Sequence, residues 1–181
     1  MPVSDEPFTL DLLYSTIEQH LQANLPGVET VAAWPNIENH IPLPAVFLEL
    51  ADFESGQDIG TGETVLACKF EARIVVDVLR ENHQRQAVQL ASQLAVLLKH
   101  QTWGLEVEPA EFIQAMQDWT KPELDGYTVW LVEWTQQIYL GTEQWPWPDQ
   151  PPGTLVFAFT PTTGPGNEGE YFPPDSLEPV G

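Results

Sequence analysis

The chain is short of positive charge. It has 6 Lys and Arg residues against 27 Asp and Glu in 181 residues, so its formal net charge is -21. All six cations lie between residues 69 and 121. Proteins that hold nucleic acid neutralise phosphates with Lys and Arg, so this composition argues against an ordinary nucleic-acid binder. Two explanations of the acidity stay open: it keeps the chain soluble before assembly, or it lines a passage through which nucleic acid slides without sticking.

Cysteine and closely spaced histidines are also lacking. The single Cys68 cannot form an internal disulfide, and in a predicted strand with apolar neighbours it is interpreted as a small buried hydrophobe. None of the four histidines has another within two to four residues, which argues against the usual zinc sites. The acidic cluster at 52–63 lacks the ligand spacing of a calcium-binding loop, so it is interpreted as a solvated loop. The sequence therefore predicts neither a metal nor a cofactor.

Catalytic motifs and long apolar runs are absent as well. There is no nucleophile elbow and no phosphate-cradling glycine loop, and with so many acids nothing singles out one catalytic carboxylate pair. We therefore predict that the chain is not an enzyme.

Long apolar segments are absent too. No stretch approaches the roughly 20 apolar residues of a membrane helix. The first residues lack the basic and apolar regions of a signal peptide, so synthesis in the cytoplasm and no membrane partner are expected.

Apolar periodicity predicts two helices and several strands. A helix is predicted over 9–24, with Thr9 as its N-cap, and a second over 83–100. A polar, glycine-containing loop is predicted after residue 50. The predicted strands are, in chain order, 28–34, 44–50, 66–78, 103–119 with an interruption at Pro109, and 127–140.

The strongest pattern is the alternation of apolar and other residues from 66 to 78, and the long strand over 127–140 also has apolar residues on one face. Apolar residues occupy every second position from Leu66 to Val78, and Trp130 and Trp134 share one face of the strand over 127–140. One face of each strand should therefore be buried and the other polar. Strands in succession joined by turns, with two helices between them, predict an α+β fold: a mixed or antiparallel sheet of long strands packed against two helices.

The C-terminal region differs from the rest. Residues 141–181 hold nine of the 17 prolines, six acids and no cation. Proline removes backbone donors and favours extended chain. We predict an α+β domain over 1–141 and a proline-rich, acidic, extended arm over 142–181. The apolar residues at about 155–159 predict one short strand in the arm, which docks on its own domain or on a neighbouring copy.

Four aromatic residues of this arm are candidate partner-docking residues. Trp145 and Trp147 stand beside prolines, and Phe157 and Phe159 belong to the predicted short strand. Large aromatic side chains are enriched where proteins bind one another. For the tryptophans, packing back on their own sheet is the alternative explanation.

In the order of its motifs, the chain resembles the tail terminator proteins of long-tailed bacteriophages, especially the version in Mu-like contractile phages and related prophages. The resemblance spans nearly the whole chain. Its motifs are the N-terminal helix followed by Pro44-Ala45-Val46-Phe47-Leu48-Glu49-Leu50, the long strand through Phe70-Glu71-Ala72-Arg73-Ile74-Val75-Val76, the helix over 83–98 with Trp103-Gly104, Tyr139-Leu140-Gly141, and the stretch from Val156-Phe157-Ala158-Phe159 to Gly164-Pro165-Gly166-Asn167-Glu168-Gly169-Glu170-Tyr171.

The resemblance implies a structural virion protein. Such proteins form a hexameric ring on the head-proximal end of the tail tube, stop tube polymerisation and join the tail to the neck, without catalysis or cofactor. The implied partners are other copies of the chain, the tail tube protein and a neck or connector protein, with the sheath as a further candidate. DNA would pass through without specific binding.

Two other classes of function stay open. The first is another tail or head-completion component of a phage, which would share a small α+β design. The second is an acidic DNA mimic that blocks a nucleic-acid-binding protein; it would bind a basic partner with strong salt dependence and form no ring.

Overall fold

A computed structural model describes residues 8–34, 41–143, 156–158, 161 and 163–173. The chain divides into two compact units, Met1–Trp145 and Pro146–Gly181. Among the described residues, the first unit contains both α-helices and the five strands of the sheet, in the order α1 (Leu10–Asn24), β1 (Thr30–Ala33), β2 (Ala45–Ser55), β3 (Thr64–Asp77), α2 (His83–Leu97), β4 (Glu111–Gln117) and β5 (Tyr127–Leu140). One-turn 3-10 helices lie at Pro122–Leu124 in the first unit and at Glu168–Glu170 in the second.

The strands form one five-stranded mixed sheet in the order β1-β2-β3-β5-β4. β1 runs parallel to β2, and the other neighbouring pairs are antiparallel. The predicted α+β fold, with a mixed sheet and two helices, is confirmed. β3 and β5 pair along their full length, from Thr64 opposite Leu140 to Asp77 opposite Tyr127. They form the centre of the sheet.

Local signals place α1 as predicted. Thr9 is its N-cap, and the Thr9 Oγ1 accepts a hydrogen bond of 3.1 Å from the backbone N–H of Leu12. This bond satisfies one of the amide groups that a helix leaves free at its start. Leu13, Ile17 and Leu21 form the buried stripe, because their spacing puts them on one face of the helix.

The core lies between the helices and one face of the sheet. Alternate residues of β3 and β5 fill it, and the ring of Trp134 stacks on that of Phe70 with 5.3 Å between their centroids. Cys68 is buried there, as predicted, and burial raises the pKa of its thiol to about 11. The apolar pattern therefore identifies the core-facing residues of both long strands, but the opposite face is not wholly polar, because Ala45, Phe47, Val75, Leu124 and Val129 form a second buried cluster.

Two strands differ by more than two residues from the predicted bounds, and the first of them is β2. β2 continues to Ser55, so Asp52 and Glu54 belong to a strand rather than to a polar loop. β3 supplies ladder partners for them, opposite Lys69 and Ala67, after a bulge that follows Leu50. Hydrogen bonding to a long neighbouring strand thus outweighs the local polar composition.

The strand predicted over 103–119 is reduced to Glu111–Gln117. Trp103 and Gly104 have φ of 61° and 75°, which a β-strand does not accommodate. Trp103 is held in this turn because its indole N–H donates a 2.9 Å hydrogen bond to Oε1 of Gln136. The second predicted helix also ends early, at Leu97 rather than at residue 100, and His100 has a positive φ of 55°.

In the second unit, Phe157 pairs with Phe172 through an antiparallel bridge. Each backbone N–H donates to the other residue's carbonyl, at 2.8 and 2.9 Å. The short strand predicted over 155–159 is described only at 156–158, where it makes this single bridge. The described part of the predicted strand therefore finds its partner inside its own unit.

Candidate assembly surface

The face of the sheet that turns away from the helices carries charged side chains. Glu49 of β2, Glu71 of β3 and Glu133 of β5 are directly opposite one another across three neighbouring strands. Like charges in facing positions destabilise a sheet unless cations separate them. The cations here are Lys69 and Arg73, two positions before and after Glu71 on the same strand face.

Arg73 is the centre of the resulting network. Its Nε donates to Oδ2 of Asp118 at 2.9 Å, its Nη1 donates to Oε2 of Glu49 at 2.6 Å, and its Nη2 donates to Glu71. The residue is only 3% exposed. Burial alone would lower the pKa of Arg73, but the hydrogen bonds to Glu71 and Asp118 outweigh it and raise the pKa. Each of the three guanidinium nitrogens therefore donates to a different carboxylate.

Two lysines complete the charge balance. Lys69 pairs with Glu133, which also accepts a hydrogen bond from the side chain of Gln114. Lys121 lies 3.2 Å from the Glu49 carboxylate, and its Nζ sits 5.3 Å from the centroid of the Trp34 ring. Three cations against four carboxylates leave one net negative charge. Because these groups satisfy one another, we interpret the network as structural rather than as a reactive site.

The pKa values of two carboxyls reflect this arrangement. Burial by itself would raise the pKa of Asp118, but hydrogen bonds from Thr120 and Arg73 lower it below the ordinary value. The pKa of Glu133 is lowered in the same way, because hydrogen bonds from Lys69 and Gln114 outweigh its burial. Both carboxyls are thus held in their charged form. Sequence reasoning predicted a polar face but missed the network, since Asp118 lies outside the alternating strands.

The edge strand β4 is the most exposed apolar part of the sheet. Phe112, Ile113 and Met116 in the strand and Trp119 just after it are all exposed, Trp119 to 74%. On its outer side β4 has no partner strand among the described residues. Proteins usually protect such an edge with Lys, Pro or a covering segment. The sequence of β4, Glu-Phe-Ile-Gln-Ala-Met-Gln, contains neither Lys nor Pro.

The other edge of the sheet is less available. β1 has only four residues, and the helix α1 lies against it. Beyond residue 48, β2 has no partner on this side among the described residues, but its end carries Asp52 and Glu54. The two edges therefore differ in chemistry, and the apolar edge of β4 is the candidate assembly surface.

The aromatic residues predicted to dock partners are only partly described. Trp145, Trp147 and Phe159 lie outside the described residues. Phe157 is partly exposed and bridged to Phe172. Their role in docking stays a prediction. The exposed apolar side chains of β4 were not predicted, because apolar residues in a predicted strand usually indicate burial. The sign of exposure in the sequence is that β4 lacks the alternation found in β3.

The described part of the chain offers no other obvious chemistry. No group of three or more His, Cys, Asp or Glu in it could hold a metal ion. No helix within the same ranges is long and apolar enough to cross a membrane.

No protein-family model matches the chain, and no curated protein sequence gives a significant match. Its function has to be argued from its surfaces and from the order of its motifs.

Proposed function

We propose that the chain is a structural phage protein, the tail terminator, which forms a ring of identical copies on the head-proximal end of the tail tube. The observation that carries the proposal is the unprotected edge of β4 with its exposed apolar side chains. An open edge strand is a template for pairing with another chain. Contiguous exposed apolar residues mark interaction surfaces.

The difference between the two edges supports a ring rather than a symmetric pair. β4 is open and apolar, whereas the opposite edge is formed by the short β1, which lies against α1, and by the acidic end of β2. If β4 contacts a different surface of the next copy, the contact is heterologous. Heterologous contacts close into rings when the rotation allows it and otherwise give filaments. A terminator requires the closed form, since it stops growth.

The charge of the chain fits a ring through which DNA passes. A net charge of -21 repels phosphates, so the genome would slide through without specific binding. The two faces of the ring would bind the tail tube protein and a neck or connector protein, with the sheath as a further candidate partner. The virion would be the place of action, and neither a reaction nor a cofactor is required.

The same acidity favours a second candidate, a DNA mimic that binds a basic protein. The network around Arg73 weighs against it, because four of the carboxylates already share three cations of the chain. A mimic would bind its partner with strong salt dependence and would leave tail tubes unaffected.

Electron microscopy of tail tubes assembling with and without the purified chain tests the proposal. We expect tubes that carry a cap at one end and stop growing once the chain is added. Tubes that lengthen without limit and carry no cap would contradict the terminator function. Incorporation of the chain along the tube would instead identify it as a tube component.

A further inference from the structure

The helix α2 stands in the longest stretch of the sequence without a negative charge. Residues 82–105 contain no Asp or Glu, although the chain has 27 of them. The stretch includes Arg85 and Lys99. A helix that only faces water in such a protein would be expected to carry acids as well. The outer face of α2 is therefore chemically distinct from the rest of the described surface.

The outward side chains of α2 form one continuous stripe. The buried residues Ala87, Leu90, Ala91 and Leu94 fix the orientation of the helix against the sheet. At 3.6 residues per turn, the positions on the opposite side belong to a single row. We define the α2 stripe by the exposed helix residues Arg85, Val88, Gln89, Ser92 and Val96, together with Lys99, which lies two residues after the end of the helix.

The centre of the α2 stripe is apolar and its two ends are positive. Val96 is 74% exposed, and Val88 is exposed as well. Neither Arg85 nor Lys99 belongs to an ion pair among the described residues, whereas Lys69, Arg73 and Lys121 are all paired with carboxylates of the sheet. Two of the six cations thus have no ion-pair partner among the described residues.

We propose that the α2 stripe is the docking face for a second copy of this chain, which presents an acidic surface to it. Charge complementarity favours this occupant, because only four of the 27 acids pair with cations among the described residues and the two ends of the stripe are cationic. The exposed valines give the centre of the contact an apolar core that excludes water from the surrounding polar groups.

The α2 stripe is continuous with the edge of the sheet. Lys99 at its C-terminal end and Phe112 of β4 line the same groove, together with Ala95. A neighbouring copy could therefore cover part of the helix and the edge strand in one contact. The proposal rests on the proposed function to the extent that both require copies to associate, and it adds the α2 stripe to the β4 edge as a surface of that association.

Zero-length carbodiimide cross-linking of the full chain tests this contact. The reagent joins amines to carboxylates that already touch, and the chain has three lysines. Lys69 and Lys121 are held within their own chain, so Lys99 is the lysine free to reach a second copy. In a mixture of unlabelled and nitrogen-15-labelled chains, we expect mixed-isotope peptides that join Lys99 to Asp or Glu. Lys99→Gln should remove them.

Two variants with a matched control separate the contact from general stability. Val96→Asp places a negative charge in the centre of the α2 stripe and should weaken self-association by about tenfold or more. Reversing the charge of both ends, with Arg85→Glu and Lys99→Glu together, should do the same. The control is Leu12→Asp, an exposed apolar position on α1, which should leave association unchanged. The thermal unfolding temperatures of the two variants and of the control should stay near that of the original chain.

The outcomes distinguish the two proposals. Rings that persist in both variants, without mixed-isotope cross-links from Lys99, would overturn the α2 contact and leave the terminator function standing. Cross-links from Lys99 only to added tube protein would overturn the second copy as the occupant. A chain that stays monomeric at every concentration, with or without tube ends, would overturn both.

Discussion

Arg73 and Asp118 lie 45 residues apart in the chain and are joined by a 2.9 Å hydrogen bond from Nε to Oδ2, with both side chains almost completely buried. The bond ties the central strand β3 to the segment that follows the edge strand β4. The same guanidinium separates Glu49 from Glu71, which face each other across neighbouring strands. The charge of Arg73 thus allows two neighbouring strands to carry glutamates in facing positions.

Replacing Arg73 should therefore destabilise the fold strongly. Arg73→Met leaves three carboxylates close together without their shared cation, which should lower the free energy of unfolding by about 3–5 kcal/mol. The control is Lys121→Met, because Lys121 is more exposed and only one of its contacts is an ion pair; we expect a change of about 1 kcal/mol or less. Urea unfolding followed by tryptophan fluorescence measures both. Equal effects of the two substitutions would contradict the central role of Arg73.

Removing the charge of Asp118 should have an effect that depends on pH. The pKa of Asp118 is lowered in the folded chain, so its ionised form stabilises the fold above the ordinary value of 3.8, and this contribution disappears as the pH falls through the lowered pKa. At neutral pH, Asp118→Asn should cost about 1.5–3 kcal/mol, the typical worth of a hydrogen bond to a charged group.

The difference between the original chain and Asp118→Asn should shrink as the pH falls below 3.8. Comparing the two proteins cancels the repulsion among the other carboxyls, which titrate in both. The free energy of unfolding of each, measured by urea at a series of acidic pH values, gives the difference directly. A difference that is the same at neutral and acidic pH would show that the charge of Asp118 does not act through Arg73.

Two buried tryptophans should respond differently to replacement by phenylalanine. The indole N–H of Trp103 donates to Gln136, whereas that of Trp134 has no hydrogen-bond partner among the described residues. Trp103→Phe removes this hydrogen bond and leaves the buried side-chain oxygen of Gln136 without the indole donor. Trp134→Phe removes a donor that was unsatisfied, which offsets part of the lost packing. We expect Trp103→Phe to cost more, by roughly 1 kcal/mol, in matched thermal and urea unfolding.

Charging the edge of β4 should reduce assembly without unfolding the chain. Ile113→Lys and Met116→Lys together place on β4 the kind of side chain that protects natural edge strands. Because both residues are exposed, the free energy of unfolding should change by about 0.5 kcal/mol or less for each. Sedimentation velocity should show a loss of oligomer, and Phe53→Lys, an exposed position on β2, is the control. Oligomers that survive the double variant would exclude β4 as the assembly surface.

Deleting the second unit should leave the first one folded. The helices and strands of the sheet all belong to Met1–Trp145, so a chain without residues 146–181 retains the core. We expect an unfolding temperature close to that of the full chain and weaker assembly, because the predicted docking residue Phe157 and its bridge partner Phe172 are removed. Circular dichroism and light scattering check the two expectations. A truncated chain that does not fold would show that the arm belongs to the core.

The parts of the fold that the sequence predicts are those fixed by local periodicity. The bounds of β5 and the buried faces of β3 and β5 follow from alternation, and the start of α1 follows from Thr9. The prediction from local composition is wrong at β2, because Asp52 resembles a loop residue but pairs with Lys69 of β3 in the sheet. It failed again before β4, where the hydrogen bond of Trp103 to a distant side chain replaces a strand by a turn.

The candidate site was harder to predict than the fold. The network around Arg73 depends on the register between strands and on Asp118, which no local pattern connects to β3. The exposure of β4 depends on its place at the edge of the sheet, and sheet order is a property of the whole chain. The α2 stripe, by contrast, could have been found in the sequence, because the absence of acids over 82–105 and the helical spacing are both visible there.

The mass of the purified chain in solution, measured by light scattering over a wide range of concentrations, tests the central claim most directly. If the chain works by closed association of identical copies, the mass should settle at one fixed multiple of the single chain and stay there as concentration rises. A mass equal to one chain at every concentration, or one that grows without limit, would contradict it.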